Sequence, residues 1–164
     1  MISVKISQAL NLQMNREFYN SRLYLSMATY LHSINLAGAA HWMEVQAQEE
    51  TGHAMRLYKH LLERGARIIV EAIAAPPQKW DSPLAAFQDA YRHVCKVTKE
   101  FDELVALARA ENDNATEFFL QWFVTEQVEE EDSTDSVVQK FLLTEKANGE
   151  ALFMIDRMLA ERGK

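Results

Sequence analysis

Apolar side chains recur at steps of three, four and seven along four long stretches of this chain. In residues 6–35, free of Gly and Pro, Leu10, Met14, Glu17, Tyr24, Met27 and Leu31 share one stripe, the signature of an amphipathic helix. After a break at Asn35-Leu36-Ala37-Gly38, residues 38–64 carry Ala40, Met43, Ala47, Glu50, Ala54, Leu57 and Leu61 on one face, and Gly65 stops the element, as a glycine just past a helix C-terminus does. A third helix opens at Ser82-Pro83, a capping serine followed by proline in the first turn. It runs over 83–110 with Phe87, Tyr91, Val94, Thr98, Phe101 and Val105 as its inner stripe. Glu111-Asn112-Asp113 reads as a tight turn, and Asn114 with Glu117 as a capping-box pair opening a fourth helix over 114–144. A short amphipathic fifth helix over about 150–161, centred on Ala151 to Leu159, follows an Asn148-Gly149 turn.

Residues 65–81 break the pattern. Arg67 to Val70 is rich in β-branched residues, and Pro76-Pro77 forbids helix. A connection of roughly seventeen residues is unusually long for a compact domain, yet long enough to run the length of a bundle. The second and third helices therefore start at the same end and run parallel. Two helix hairpins joined by one long crossover make an all-α four-helix bundle, with the short helix appended at the C-terminus.

Composition agrees with a single domain spanning 1–164. Apolar residues make up 48% and charged residues 25% of the chain, ordinary values for a globular protein. The net charge of −7, with no Lys/Arg cluster, argues against a nucleic-acid partner and suits a protein that meets cations. With Cys95 as the one cysteine, no intramolecular disulfide or CxxC metal motif exists. The polar N-terminus and the absence of any apolar run near membrane-spanning length point to a cytoplasmic protein without membrane contact.

The chemistry sits in the middle of the helices. Glu50 and His53 form a Glu-x-x-His step, and residues three apart share a helix face. Glu17 on the first helix, and Gln127 and Glu130 on the fourth, lie at comparable depth. Such a set is the recurring unit of di-iron carboxylate bundles, and carboxylates with imidazole suit iron. On this reading Glu17 and His53 are terminal ligands, Glu50 bridges, Glu130 serves a second metal, and Gln127 holds water or oxidant. Glu130 lies about 18 residues beyond the turn near 112; the position at matching depth on the third helix is Val94. The first, second and fourth helices thus supply ligands and the third supplies a valine.

A Glu-x-x-His step arises often by chance, and an isolated glutamate is usually solvated. Two metal-free carboxylates at the centre of a bundle are costly, which favours the metal reading. Tyr24, one heptad from Glu17, is either a core tyrosine or a one-electron donor beside the metals. Glu49, Glu126 and Glu129 are candidates for an auxiliary cation site, whereas Glu131 and Asp135 read as a solvated face. Trp122 reads as packing, Phe118 to Phe123 as core and subunit interface, and Cys95 as an inert core thiol; His32, His41, His60 and His93 are assigned no chemistry.

Three segments, LNLQMNREFYNSRLYLSMA around Glu17, HWMEVQAQEETGHAMRLY around Glu50 and His53, and FFLQWFVTEQVEEE around Gln127 and Glu130, resemble the non-haem bacterial and archaeal ferritins over nearly the whole chain. The resemblance implies a ferritin-like fold and a cytoplasmic homo-oligomeric shell of 24 subunits. It implies a ferroxidase that oxidises Fe(II) with dioxygen or hydrogen peroxide and stores ferric mineral. It further implies non-haem iron at two or three sites per subunit and no haem. One site would use Glu17, Glu50 and His53. A second would use Glu50, Glu130 and a third-helix glutamate, with Gln127 nearby. A third would use Glu49, Glu126, Glu129 and Glu130, with Tyr24 beside the centre. Val94 departs from that pattern, since the family normally carries Glu after the histidine His93 matches.

Haem-binding bacterioferritins resemble this topology but carry a second Glu-x-x-His on the fourth helix and a haem-ligating Met where this chain has Thr51. Rubrerythrins need a CxxC iron domain, and the mini-ferritins lack the fifth helix. Three functions compete: a ferroxidase store, a storage shell whose centre Val94 has impaired, and a metal-binding bundle that does not assemble.

Overall fold

The computed structural model describes residues 2–144 and 149–163. Five helices follow in order: α1 (Val4–Ser33), α2 (Ala37–Glu63), α3 (Pro83–Ala110), α4 (Asn114–Thr144) and α5 (Gly149–Leu159). Helix α1 packs along α2 and α3 along α4, while α5 lies against α2 and α4. Asn148, and with it half of the expected turn before α5, falls outside the described residues.

The helix ends follow local chemistry. Helix α1 starts earlier than its apolar stripe suggests, because the Ser3 hydroxyl accepts from the Ile6 amide at 3.2 Å. The Ser82 hydroxyl likewise accepts from Ala85 N–H at 3.0 Å, with Pro83 at the first helical position. Asn35, Gly65 and Asn112, at φ 62°, 70° and 55°, close the C-termini of α1, α2 and α3 in left-handed conformations. In each case the next amide bonds back to a carbonyl of the last turn: Leu36 to Leu31, Ala66 to Leu61, Asp113 to Ala108. The cap of α4 corrects the sequence reading. It is Asp113, not Asn114, whose Oδ1 accepts from Thr116 N–H at 3.1 Å. Glu117 completes no capping box; it accepts from Arg109 Nε at 2.6 Å. The Asp113 carboxylate also takes both Arg64 terminal nitrogens, at 2.9 and 3.0 Å, tying the end of α2 to the start of α4.

The crossover of residues 65–81 is irregular but anchored. Asn11 donates to the Arg67 carbonyl and accepts from the Ile69 amide; one turn on, Asn15 donates to the Ile69 carbonyl and accepts from the Glu71 amide, all at 2.8–3.1 Å. Two side-chain amides thus pair with the connection as a neighbouring strand would, which satisfies its backbone groups.

The core comes in two parts. One apolar cluster runs from Leu23, Tyr24 and Met27 through Met43 and Phe87 to Phe141 and Ile155. The other runs from Ile6, Leu10 and Met14 through Leu57 and Phe101 to Phe123. Between them lies a layer of buried polar side chains drawn from α1, α2 and α4. The predicted stripes of α1 and α2 are buried at every named position. On α3 the prediction is off by part of a turn: Tyr91 and Thr98 are half-buried, and Ala90 and Val97 face inward instead. Cys95 is also half-buried, so it is no core thiol.

Candidate metal centre

Glu17, Glu50, His53, Gln127 and Glu130 are 0%, 3%, 4%, 2% and 6% exposed, all inside the polar layer. Helical spacing builds their support. Gln13, one turn before Glu17, donates to its Oε1 at 2.7 Å, and Asn20, one turn after, donates to its Oε2 at 2.9 Å. Gln46 stands one turn before Glu50 and donates to Glu50 Oε1 at 3.1 Å. His93 Nε2 bonds Asn20 Oδ1 at 2.7 Å, which extends the chain behind Glu17 to α3. The His53 ring is walled edge-on by Trp122 and Phe123, centroids 5.5 and 5.8 Å away.

Two sets of donor atoms converge, each within 4.8 Å: Glu17, Glu50 and His53, and then His53, Glu126 and Glu130. His53 belongs to both. Its Nδ1 faces Glu50 Oε2 at 3.4 Å and Glu130 Oε1 at 3.8 Å, and its Nε2 faces Glu126 Oε1 at 4.0 Å. Among the described residues, His53 Nδ1 and Glu130 Oε1 are buried with no hydrogen-bond partner. Buried polar atoms are rarely left so, and two orphans aimed at one point fit a cation between them.

The electrostatics agree. Burial, and then the neighbouring Glu50 carboxylate, push the Glu17 carboxyl well above its usual range. Burial pushes Glu50 the same way, but the polar side chains around it, His53 first and then Glu17 and Gln46, outweigh it and hold Glu50 below the usual value. Two buried carboxylates this close do not both stay ionised, so the pair holds a proton between them in the absence of a cation. Burial, then Glu50 and Glu126, raise Glu130 well above the usual range. Burial and the three carboxylates Glu50, Glu130 and Glu17 push the Tyr24 phenol well above 10.0, so it stays protonated. A cation would displace protons from Glu17 and Glu130 as it binds.

The other residues singled out by sequence fall elsewhere. Gln127 turns its amide nitrogen to α3, onto Thr98 Oγ1 at 3.2 Å and the Val94 carbonyl at 3.4 Å. Val94 is 1% exposed and belongs to neither apolar cluster, so it sits in the polar layer without a ligand atom. Glu49 and Glu129 join neither donor set; Glu129 is exposed, and Glu49 accepts from Arg162 at 2.6 Å. Glu131 is half-buried and accepts from Thr98 Oγ1 at 2.6 Å, so it is not simply solvated. Trp122 is 37% exposed with Arg56 over its ring at 4.1 Å, and Phe118 is 82% exposed, so that run is core only in part.

Gln13, Asn20, Gln46 and His93 went unrecognised in the sequence. The first three stand three or four residues from a ligand, a spacing that flags them. His93 and Arg162 carry no comparable local signal, because His93 reaches the centre from α3 and Arg162 from the segment after α5.

The matching family model is the ferritin-like domain, over residues 7–143. The chain belongs to the ferritin family. It is 41% identical over 162 residues to the bacterial non-heme ferritin of Bacteroides fragilis, covering 99% of this chain and all of the relative. It is 34% identical to that of Staphylococcus aureus, covering 99% and 97%. Among solved structures, the open-pore ferritin of the archaeon Archaeoglobus fulgidus superposes with a TM-score of 0.97 at 49% identity, covering 99% of both chains. An engineered closed form of that ferritin gives 0.95 at 50% identity, over 99% of this chain and 98% of that one. This is an iron-storage family, and the four-helix bundle with a short C-terminal helix is its fold. No helix among the described residues is long and apolar enough to cross a membrane.

Proposed function

We propose that this ferritin takes up Fe(II) as substrate at the layer around His53, oxidises it with dioxygen or hydrogen peroxide, and stores the ferric product inside a cytoplasmic shell of 24 subunits. The observation that carries the reading is the pair of orphaned atoms, His53 Nδ1 and Glu130 Oε1, 3.8 Å apart with Glu50 Oε2 beside them. Glu17, Glu50 and His53 receive one ferrous ion; Glu130, with Glu126, receives the other, and Glu50 lies between them. Gln13, Asn20 and Gln46 orient the carboxylates, so that little side-chain freedom is lost when the ion arrives. Tyr24, buried and protonated above the layer, is placed to supply an electron. Gln127, drawn to α3, steadies Thr98 and so Glu131 at the rim of the second group.

A second reading rests on Val94. Where the resemblance implies a third-helix glutamate, this layer has an apolar side chain, so the second ion is held by fewer oxygens and its oxidation is slowed. The protein then stores iron with a weakened centre.

Anaerobic Fe(II) titration followed by stopped-flow mixing with dioxygen separates the two. The first predicts oxidation well above the solution rate, with the tighter binding event lost in Glu50→Ala. A rate equal to that of iron in buffer defeats the enzyme and leaves the store. Sedimentation as a monomer defeats the shell.

A further inference from the structure

Arg162 lies beyond the end of α5 at Leu159 and folds back onto α2. Its guanidinium stacks 4.0 Å from the centroid of the Trp42 ring. Nη1 donates to the Trp42 carbonyl at 3.1 Å, and Nη2 donates to Gln46 Oε1 at 2.7 Å and Glu49 Oε2 at 2.6 Å. The side chain is only 19% exposed. The segment carrying it is itself tied down. His41 Nε2 bonds the Arg162 carbonyl at 2.9 Å, and Asp156 Oδ1 accepts from the Ala39 amide at 2.8 Å, supplying the cap that α2 lacks on its own Leu36. At Gly38 a side chain would collide with the Asp156 backbone, so the close approach of α5 requires glycine there.

This cation stands one side chain from the metal layer. Gln46, which accepts from Arg162, donates to Glu50 at 3.1 Å and stands beside Glu130. Glu49, which the family resemblance would place with Glu126, Glu129 and Glu130 around a third ion, has one oxygen on the guanidinium instead. A fixed positive charge at that spot both takes the oxygen and repels an incoming dication.

We propose that Arg162 is a built-in counter-cation: its guanidinium takes the third-cation position beside the centre, so each subunit loads Fe(II) only around His53, and Glu49 becomes a ligand only when the C-terminal segment lets go. The inference rests on the proposed function. Five donors in a planar fork suit this post, since they engage a carboxylate, an amide and a carbonyl at once while the plane lies on an indole. Carriage on the C-terminal segment rather than on a bundle helix makes the position one that the docking of α5 controls.

The test counts metal per subunit on the assembled protein, by anaerobic calorimetric titration with Fe(II) and with redox-silent Zn(II). Arg162→Gln is expected to bind one equivalent more than the parent, and Arg162→Gln/Glu49→Gln to lose that equivalent again. Glu49→Gln alone is expected to leave the parent count unchanged. An Arg162→Gln protein with the parent count overturns the proposal. So does a Glu49→Gln protein that binds one equivalent fewer than the parent, a result that stands even where loss of the arginine impairs assembly. A parent whose titration is indifferent to Glu50→Ala defeats the proposed function and this inference together. A parent that loads through Glu50 but gains nothing on loss of Arg162 defeats this inference alone.

Discussion

Replacing Glu130 by methionine separates a side chain kept for a ligand from one kept for stability. Methionine has similar length and no polar atom. In the metal-free protein the Glu130 Oε1 atom is buried without a partner, and such an orphan costs about 1–3 kcal/mol. Against its removal stands the polar contact with the neighbouring Gln46 amide, worth no more than about 1 kcal/mol. The like charges of Glu50 and Glu126 also cease to act on it. The balance favours Glu130→Met by about 1 kcal/mol without metal. With Zn(II) at a hundred times its dissociation constant, an intact site adds about 2.7 kcal/mol, which the variant forfeits at the His53–Glu126–Glu130 group. The order of stabilities therefore reverses between chelator and metal. Urea unfolding at one fixed protein concentration, which holds the assembly contribution constant, reads both states. The sign of the pH dependence is a second readout. The folded protein holds the Glu130 proton above the usual 4.5, so that contribution is present at low pH and lost as pH rises through the raised folded value. Metal-free Glu130→Met should lack that part of the decline. A variant less stable than the parent in both chelator and metal, with an unchanged pH slope, would show that Glu130 is kept for stability and not for a ligand.

Val94→Glu adds a carboxyl to a layer already holding three, so the metal-free protein should lose about 2–4 kcal/mol, while stopped-flow Fe(II) oxidation accelerates; an unchanged oxidation rate would show that Val94 is not what limits the centre. Asp113→Ala removes the α4 cap and the Arg64 pair, 11% and 21% exposed in their side chains, and should cost about 2 kcal/mol in urea unfolding. Because Arg64 and Thr116 outweigh burial and hold the Asp113 carboxyl below its usual 3.8, its contribution is present above that pH and lost as pH falls through the depressed value, so the parent and variant should converge in acid. Asn15→Ala releases the crossover at Ile69 and Glu71, and limited proteolysis within residues 65–81 should quicken with helical circular dichroism unchanged.

Much of this protein was written locally. The four long helices, the crossover and the face carrying Glu17, Glu50 and His53 follow from periodicity of 3.6 and from Gly and Pro positions, because those signals act within a few residues. The valine at the depth of Glu130 was also visible by counting from the turn. Where neighbours compete locally, the reading slipped by a residue or a fraction of a turn: Asp113 wins the cap from Asn114 because its carboxylate also meets Arg64 on another helix, and α3 buries Ala90 and Val97 in place of Tyr91 and Thr98.

What spacing along one helix cannot encode is the approach of side chains from separate helices. That His53, rather than Glu50, is common to both donor sets depends on the rotation of α2 against α4. His93 reaching Asn20 depends on α1 meeting α3, and Arg162 reaching Glu49 across 113 residues of chain depends on where α5 docks. Periodicity names the face a residue occupies; only packing decides which atoms on that face are left to meet a cation.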